Sequence, residues 1–549
     1  MYEIKVTFTD GRSLTCPLGT PVEALIEHFG AGGLVAVKVN NEILPLATRL
    51  EVNALLEPVS LEAPEGVMIY RRSLAFLLAM TARTLFPEQR LYIGHSLGNS
   101  YYYTFLVGSP SQQDIESLKR AMQALVAADL PITVQVMAYT EALRLFEQNG
   151  QTDTALLLEE RSDSKVRINV CNDFADLYIE PLVPRTGLLL AFDLILYQEG
   201  FLLCFPGIGQ GTTLEPFEDN PIIFSVYDEY KKWGRIVGLH AVGHLNRLIR
   251  ERTIKDYIKI AEAFQARKLA KIADTIYSRK DTVKMVLIAG PSSSGKTTTA
   301  KRLSLELKVM GIEPIAIGLD DYYVNTDRTP RDAKGEPDYE CLEALDIPYF
   351  NQQLLALFNG EEVTLPQYDF KAGRRRESGG RKIRLDQRTV LIIEGIHSLN
   401  PALTPQIDRN TQFKLYVSAL TLLNLDDHNR IPTSDNRLLR RMVRDYQFRG
   451  TSAVSTIQMW PSVQRGERRY IFPFQNSADA AFNSALSYEL SVLKFYADPL
   501  LHSVKPNRPE YAEAVRLRSF LENFTPIPPQ YVPGESILRE FIGESAFKY

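Results

Sequence analysis

Cysteine is scarce in this chain of 549 residues: there are four, and Cys16, Cys171, Cys204 and Cys341 lie far apart with no C-x-x-C pair. That excludes a disulfide-stapled scaffold and the thiolate zinc frameworks, and it suits a reducing, cytoplasmic setting. Long apolar runs are missing as well. The longest, 187–197, is interrupted by Asp193 and is too short to span a bilayer, so it reads as a buried strand or helix and no membrane partner is expected. The first residues, Met-Tyr-Glu-Ile-Lys-Val, carry no apolar signal core. Neither sign of charge dominates, since 62 basic and 66 acidic side chains leave a net charge of −4. The chain thus lacks the overall basic field that advertises nucleic acid or anionic membrane. What is present is ordinary globular composition, 45% hydrophobic and 23% charged, at a length that calls for three or four domains.

Five segments follow from the patterning. Residues 1–62 read as a small α/β module, in which Ile4, Val6 and Phe8 alternate, Asp10-Gly11 marks a hairpin and 21–29 fits one short helix. Residues 63–228 mix strands and helices without a catalytic signature of their own. Residues 229–280 are helical with interspersed charges, a linker. Residues 281–500 alternate strand and helix, which predicts α/β architecture with a parallel, doubly wound sheet. Residues 501–549, rich in proline and aromatics, are expected to be an ordered extension.

The most specific signal is at 290–297, where Gly290, Pro291, Ser292, Ser293, Ser294, Gly295, Lys296 and Thr297 fit G-x-x-x-x-G-K-[ST]. An apolar run, 285–289, precedes it, and Thr298 opens a helical pattern with Ala300, Leu303, Leu307 and Met310 on one stripe and Gly311 at its end. The two glycines let successive N–H groups turn inward on phosphate oxygens. Lys296 reaches the β- and γ-phosphates, the Thr297 hydroxyl can ligate Mg²⁺, and the helix N-terminus faces the anion. Such a loop binds a nucleoside triphosphate with Mg²⁺.

Three further features surround it. An apolar strand, 314–319, ends in Asp320-Asp321-Tyr322-Tyr323, where open α/β sheets place their ligands. Asp320 is positioned to take a proton from an attacking hydroxyl, and Asp321 serves equally well as a cap. A second strand, 389–393, ends in Glu394, which either orders the Mg²⁺ shell or holds a loop. A helix from about Ser434 carries Arg437, Arg440, Arg441 and Arg444 within an arc of about 100°. It ends at Arg449-Gly450 and reads as a mobile arginine lid over the transferring phosphoryl, with a solvated basic face as the alternative. A strand over 363–370, containing Tyr368-Asp369-Phe370, leads into a basic hairpin (Arg374-Arg375-Arg376, Arg381-Lys382 across Gly379-Gly380) that closes over substrate or is simply solvated.

In order, the P-loop, Asp320-x-Tyr-Tyr323, Tyr339-Glu340, Tyr368-Asp-Phe, Ile393-Glu394-Gly395 and Arg441-x-x-Arg444-Asp445 resemble the uridine–cytidine kinase family, relatives of phosphoribulokinase, over roughly 284–500. The resemblance implies a P-loop NTPase fold and ATP-dependent phosphorylation of a nucleoside 5′-hydroxyl. It makes Asp320 the base, Glu394 the metal-associated glutamate, and Arg441, Arg444 and Arg449 the lid and substrate arginines. Tyr323, Tyr339, Glu340 and Tyr368 become acceptor-site residues, with Glu340 replacing an aspartate that holds the ribose. Two departures touch selectivity: Gly373 stands where the family has a base-reading histidine, and Thr451 where it has a lid arginine. Met459-Trp460-Pro461-Ser462 lies outside the pattern.

The front resembles another family, the start of threonyl-tRNA synthetase. Residues 1–62 look like its β-grasp TGS domain. Residues 63–228 look like its α+β editing domain, through 69–78, 98–103 and 176–184. The editing motifs need H-S-x-x-H and C-x-x-x-H, and this chain has Arg72, Phe76, Tyr178 and Leu182 there. None replaces an imidazole or thiolate as a ligand, so hydrolysis by that chemistry is excluded and a binding or regulatory role remains. The two halves together resemble bacterial nucleoside kinases with this fused front.

Two other signals are weak. His240 and His244 at i, i+4 on a helix have no third ligand in the sequence and read as structural. No N-K-x-D tetrapeptide argues for a guanine-specific GTPase. The expectation is a cytoplasmic, homo-oligomeric kinase of a small-molecule acceptor, a nucleoside. Alternatives are a kinase of the same fold acting on a sugar phosphate or vitamin precursor, or an ATP-switched regulatory protein whose front contacts RNA.

Overall fold

The run at 285–289 is buried at every position because its strand, Met285–Ala289, has packed layers on both faces. In the computed structural model, which describes residues 2–29, 33–331, 335, 337–369, 372–376 and 380–548, alternate side chains part into two cores. Met285 and Leu287 pack with Phe350 and Leu354 of helix Ile347–Phe358. Val286 and Ile288 pack with Leu303 and Leu307 of helix Lys296–Val309. The sheet is wholly parallel, in the order Glu313–Gly318, Thr389–Glu394, Met285–Ala289, Gln412–Ser418, Ala480–Asn483. Gly318 and Ile288 both pair with Glu394, so three strands reach their carboxyl ends side by side. This is the doubly wound arrangement expected.

The first module is a five-stranded sheet ordered Ser13–Pro17, Glu3–Phe8, Ala54–Ser60, Leu34–Val39, Glu42–Leu44, with a parallel pair inside it. The predicted helix is a 3₁₀ segment, Val22–Phe29. Behind it come helix Pro64–Leu85, a four-stranded antiparallel sheet and a three-stranded one. The apolar run 187–197 is neither one strand nor one helix: it supplies most of a short 3₁₀ turn, Thr186–Leu188, and the edge strand Asp193–Tyr197, and Leu190 is exposed.

Several boundaries move. The division at 228/229 falls inside helix Pro221–Ile236, whose Asn220 side chain caps it from Ile223 N with proline in the first turn. The division at 500/501 falls inside helix Glu489–His502. Residues 501–548 are no appendage. Phe520, Phe524, Ile537 and Phe541 are buried in the same core as Leu438 and Met442. The strand over 363–370 is two two-residue pieces, Val363–Thr364 and Tyr368–Asp369, paired with Lys382–Ile383 and Arg374–Arg375; Phe370 and Gly379 lie outside the described residues. All four cysteines are free and buried. Among the described residues, no helix is long and apolar enough to cross a membrane.

Candidate active site

The loop at 290–297 is held by geometry that only glycine permits at two points. A Cβ on Gly290 would lie 2.0 Å from Val417 O, and Gly295 has φ +80° as it enters the helix. Lys296 folds back over the loop, its Nζ donating to Gly290 O at 3.0 Å and Pro291 O at 3.3 Å. Ser293 and Ser294 are buried, and neither hydroxyl has a hydrogen-bond partner. Two carboxylates lie on the loop. Glu467 Oε1 accepts from Ser292 N at 2.9 Å, and Glu540 Oε2 accepts from Thr298 N at 3.1 Å and Thr298 Oγ1 at 2.5 Å. Ile537, just before Glu540, lies against Gly295.

The parallel register brings the predicted acids to this mouth. Thr297 Oγ1 donates to Glu394 Oε1 at 2.9 Å, and Glu394 Oε2 is buried without a partner. Burial pushes the Glu394 carboxyl up to about 7; Lys296 opposes the shift and Asp320 adds to it. Protein crowds Asp320 and raises its carboxyl above the usual aspartate range, with Lys296 and Arg449 pulling down and Asp321 pushing up. The residue nevertheless stays exposed to solvent, which tempers the shift. Asp321 points elsewhere and accepts from Tyr368 N at 3.1 Å, so it ties two distant segments together and does not cap the one that follows it.

The tyrosines converge. Tyr323 packs edge-on against Tyr339 and Tyr368, with ring centroids 5.4 and 5.8 Å away. Thr326 Oγ1 lies 2.8 Å from Tyr339 OH and 3.4 Å from Tyr368 OH, and donates to Gly373 O at 3.0 Å. Gly373 has φ +62°, and a Cβ there would fall 2.3 Å from Thr326 Oγ1. The position belongs to a tight turn, so a base-reading histidine has no room. Burial, and then Glu467, lift Glu340 to about 7, with Arg441 and Lys296 opposing.

The arginine helix, Thr433–Arg449, corrects the lid picture. Arg437 is buried in a bidentate pair with Glu467 (2.5 and 2.8 Å) and lies over Trp460, which gives 459–462 a packing role. Arg440 is fully buried against Glu489 at 2.5 Å. These two are structural. Arg441 reaches the loop, donating to Ser292 Oγ at 2.8 Å, and shares Asp445 with Arg444 (2.8 Å) and Arg449 (3.5 Å). Of the basic hairpin, Arg375 is tied to Asp346 and Tyr322 O, another structural use. Sequence reasoning missed Glu467, Glu540 and Thr326. The run Arg465-Gly466-Glu467-Arg468-Arg469 could have flagged the first, since one acid among four neighbouring charges needs a partner. Nothing local flags Glu540.

In the middle segment Phe76 and Leu182 are core residues, and Tyr178 lies under Arg167 at 4.3 Å. Arg72 pairs with Glu180, which also meets Arg516 at 3.5 Å; Arg516 in turn pairs with Asp435 of the arginine helix at 2.7 Å. No zinc or proton-relay constellation exists at these four positions.

Residues 285–491 match the model of the Phosphoribulokinase / Uridine kinase family, so the C-terminal part of the chain carries a domain of that family. The N-terminal half is similar to threonine–tRNA ligases. That of Citrifermentans bemidjiense is 32% identical over 198 residues, 35% of this chain and 31% of the relative. That of Symbiobacterium thermophilum is 32% identical over 206 residues, 36% and 32%. The chain spans about a third of the length of these curated relatives. Among solved structures, a possible uridine kinase from Bacillus stearothermophilus is 23% identical with a TM-score of 0.24, covering 40% of this chain and 98% of that one. A D-glycerate 3-kinase from Cryptococcus neoformans is 17% identical with a TM-score of 0.22, covering 46% and 87%.

Proposed function

We propose that the chain is a phosphotransferase that moves the γ-phosphoryl of ATP to the hydroxyl of a small acceptor, a nucleoside 5′-hydroxyl being the first candidate. The observation that carries this reading is the alignment of three strand ends. It sets the loop, Glu394 and the segment leading to Asp320 at one edge, with Thr297 and Glu394 2.9 Å apart. The carboxylates of Glu467 and Glu540 on the loop amides support an anion site, because they stand where phosphate oxygens would lie. Lys296 would leave its two carbonyl partners to meet the β- and γ-phosphates. The oxygen donors of Thr297 and the unpartnered Glu394 Oε2 fit a magnesium ion, which would neutralise charge on the phosphates.

Asp320, open to solvent and with its carboxyl raised above the usual aspartate range, would accept the proton of the attacking hydroxyl. Tyr323, Tyr339 and Tyr368 would wall the acceptor, and Glu340 would hold its hydroxyls. Arg441, with Arg444 and Arg449 pivoting on Asp445, would neutralise the transferring group. Gly373 favours a second reading, a different alcohol as acceptor, since its turn leaves no side chain to read a base. The middle segment would be non-hydrolytic, and any RNA contact by the front half is testable by the salt dependence of filter binding. An ADP-release screen over nucleosides, sugar phosphates and other alcohols decides among acceptors. ADP release with none of them, in a protein that retains ATP, rejects the kinase reading.

A further inference from the structure

A second cluster, away from the loop, has the donor set of a metal centre. His240 and His244 are not the helical pair that their spacing suggests. Only His244 lies in helix Val242–Arg250, and His240 stands in the short irregular segment before it. The missing third donor is Asp153, in the first turn of helix Thr152–Glu159. One ligating atom from each of the three lies within 4.8 Å of the others, the one such group among the described residues. His240 Nε2 is 3.3 Å from Asp153 Oδ2, His244 Nδ1 is 4.0 Å from Asp153 Oδ1, and the imidazole centroids are 4.3 Å apart. Donors bound at about 2.0–2.2 Å to one tetrahedral ion stand about 3.3 Å apart, so side-chain shifts of about 1 Å would close the site.

Burial sharpens the case. Asp153 is 3% exposed, and His244 Nδ1 is buried without a hydrogen-bond partner. Native proteins seldom leave such atoms unpaired. Arg90 is the competing cation, with Nη2 3.1 Å from Asp153 Oδ2. It is anchored independently by Asp427, which accepts from its Nε at 2.7 Å, and Oδ1 on the His244 side remains available.

We infer that Asp153, His240 and His244 bind a divalent transition metal of the zinc class. Two imidazoles select against magnesium, which prefers oxygen donors. Asp153 belongs to the middle segment and the histidines to the helical linker. Asp427, from the P-loop half, accepts from Asp153 N and Thr154 N at 2.9 Å each. The ion would therefore fasten the joint at which the front and kinase halves meet.

The test uses the intact protein, stripped with chelator and titrated with Co²⁺ in excess Mg²⁺, which occupies oxygen-donor sites. One equivalent should bind with ligand-field absorption, be displaced by Zn²⁺ and raise the melting temperature. His244→Ala should weaken binding by at least the ~10-fold that loss of a mere supporting partner costs, with unchanged far-ultraviolet circular dichroism. Electron spin-echo modulation of the Cu²⁺-loaded wild type should count two imidazoles, a readout that needs no variant to fold. No cobalt band in the wild type, fewer than two imidazoles, or full binding by the His240→Ala/His244→Ala double variant overturns the assignment.

Discussion

Glu394 and Glu180 are both glutamates crowded by protein, one at the mouth of the loop and one in the middle segment, yet they are held in opposite ways. Glu394 has a single hydroxyl partner and an orphan oxygen, and its carboxyl is lifted to about 7. Burial pushes Glu180 up as well, but Arg72 and Arg516 outweigh it and leave that carboxyl below its ordinary 4.5. The first is a charge waiting for a cation; the second already has two. The same contrast runs through each neighbourhood. Asp320 and Glu340 are raised, two borrowed carboxylates cover the loop amides, and Arg72, Tyr178, Glu180 and Arg516 are paired or packed. Unmet charge marks the site where a ligand is expected, and met charge marks an interior whose groups already have their partners.

Breaking this comparison begins with the largest effect. Asp320→Asn should cut phosphoryl transfer by about 100- to 10,000-fold while ATP affinity is kept; turnover near wild type removes the base assignment. Next comes the same substitution at the two glutamates. Glu180→Gln should lose about 3 kcal/mol by leaving two arginines short of a partner, whereas Glu394→Gln at pH 8 should gain about 2 kcal/mol after allowance for solvent screening. The signs follow from the shifts. Glu394, raised from 4.5 to about 7, contributes stability that is complete below about 4.5 and lost as pH rises through 7. Glu180, lowered, contributes stability present above 4.5 and lost as pH falls. Urea melts at pH 5 and 8 read both, and equal signs would dissolve the contrast.

Metal affinity sharpens it further. Mg²⁺ binding without nucleotide should weaken as pH drops through about 7, and Glu394→Gln should flatten that profile, as calorimetric titration would record. Glu540→Gln, which removes a charge competing for the Thr298 amide, should tighten ATP by about 10-fold in a fluorescent-nucleotide displacement assay. The smallest effect belongs to Tyr178→Phe, for which kinase turnover should stay at the wild-type level. A collapse there would mean that the middle segment shapes the active site.

Much of the loop site was legible because its signals are local. Gly290, Gly295, Lys296 and Thr297 are fixed by the backbone turn they make, and Asp320 and Glu394 by ending apolar strands. The arginine helix was legible as a helix but not as a set of roles. Its 3.6-residue period shows which arginines share a face, not that Arg437 and Arg440 meet Glu467 and Glu489 in the interior. Gly373 is glycine for a reason that needs Thr326 in space, 47 residues away in sequence.

Chain chemistry by itself determined the parallel sheet and the glycine-bounded loop after its central strand, since each depends on hydrophobic period or turn chemistry within a short window. Only the tertiary structure decided which charges are satisfied. Packing of the last residues into the core brings Glu540 onto the loop, and docking of the linker against the middle segment brings Asp153 to His240 and His244. Electrostatic partnership acts through space at a few ångströms, and nothing in the order of residues along the chain encodes that distance.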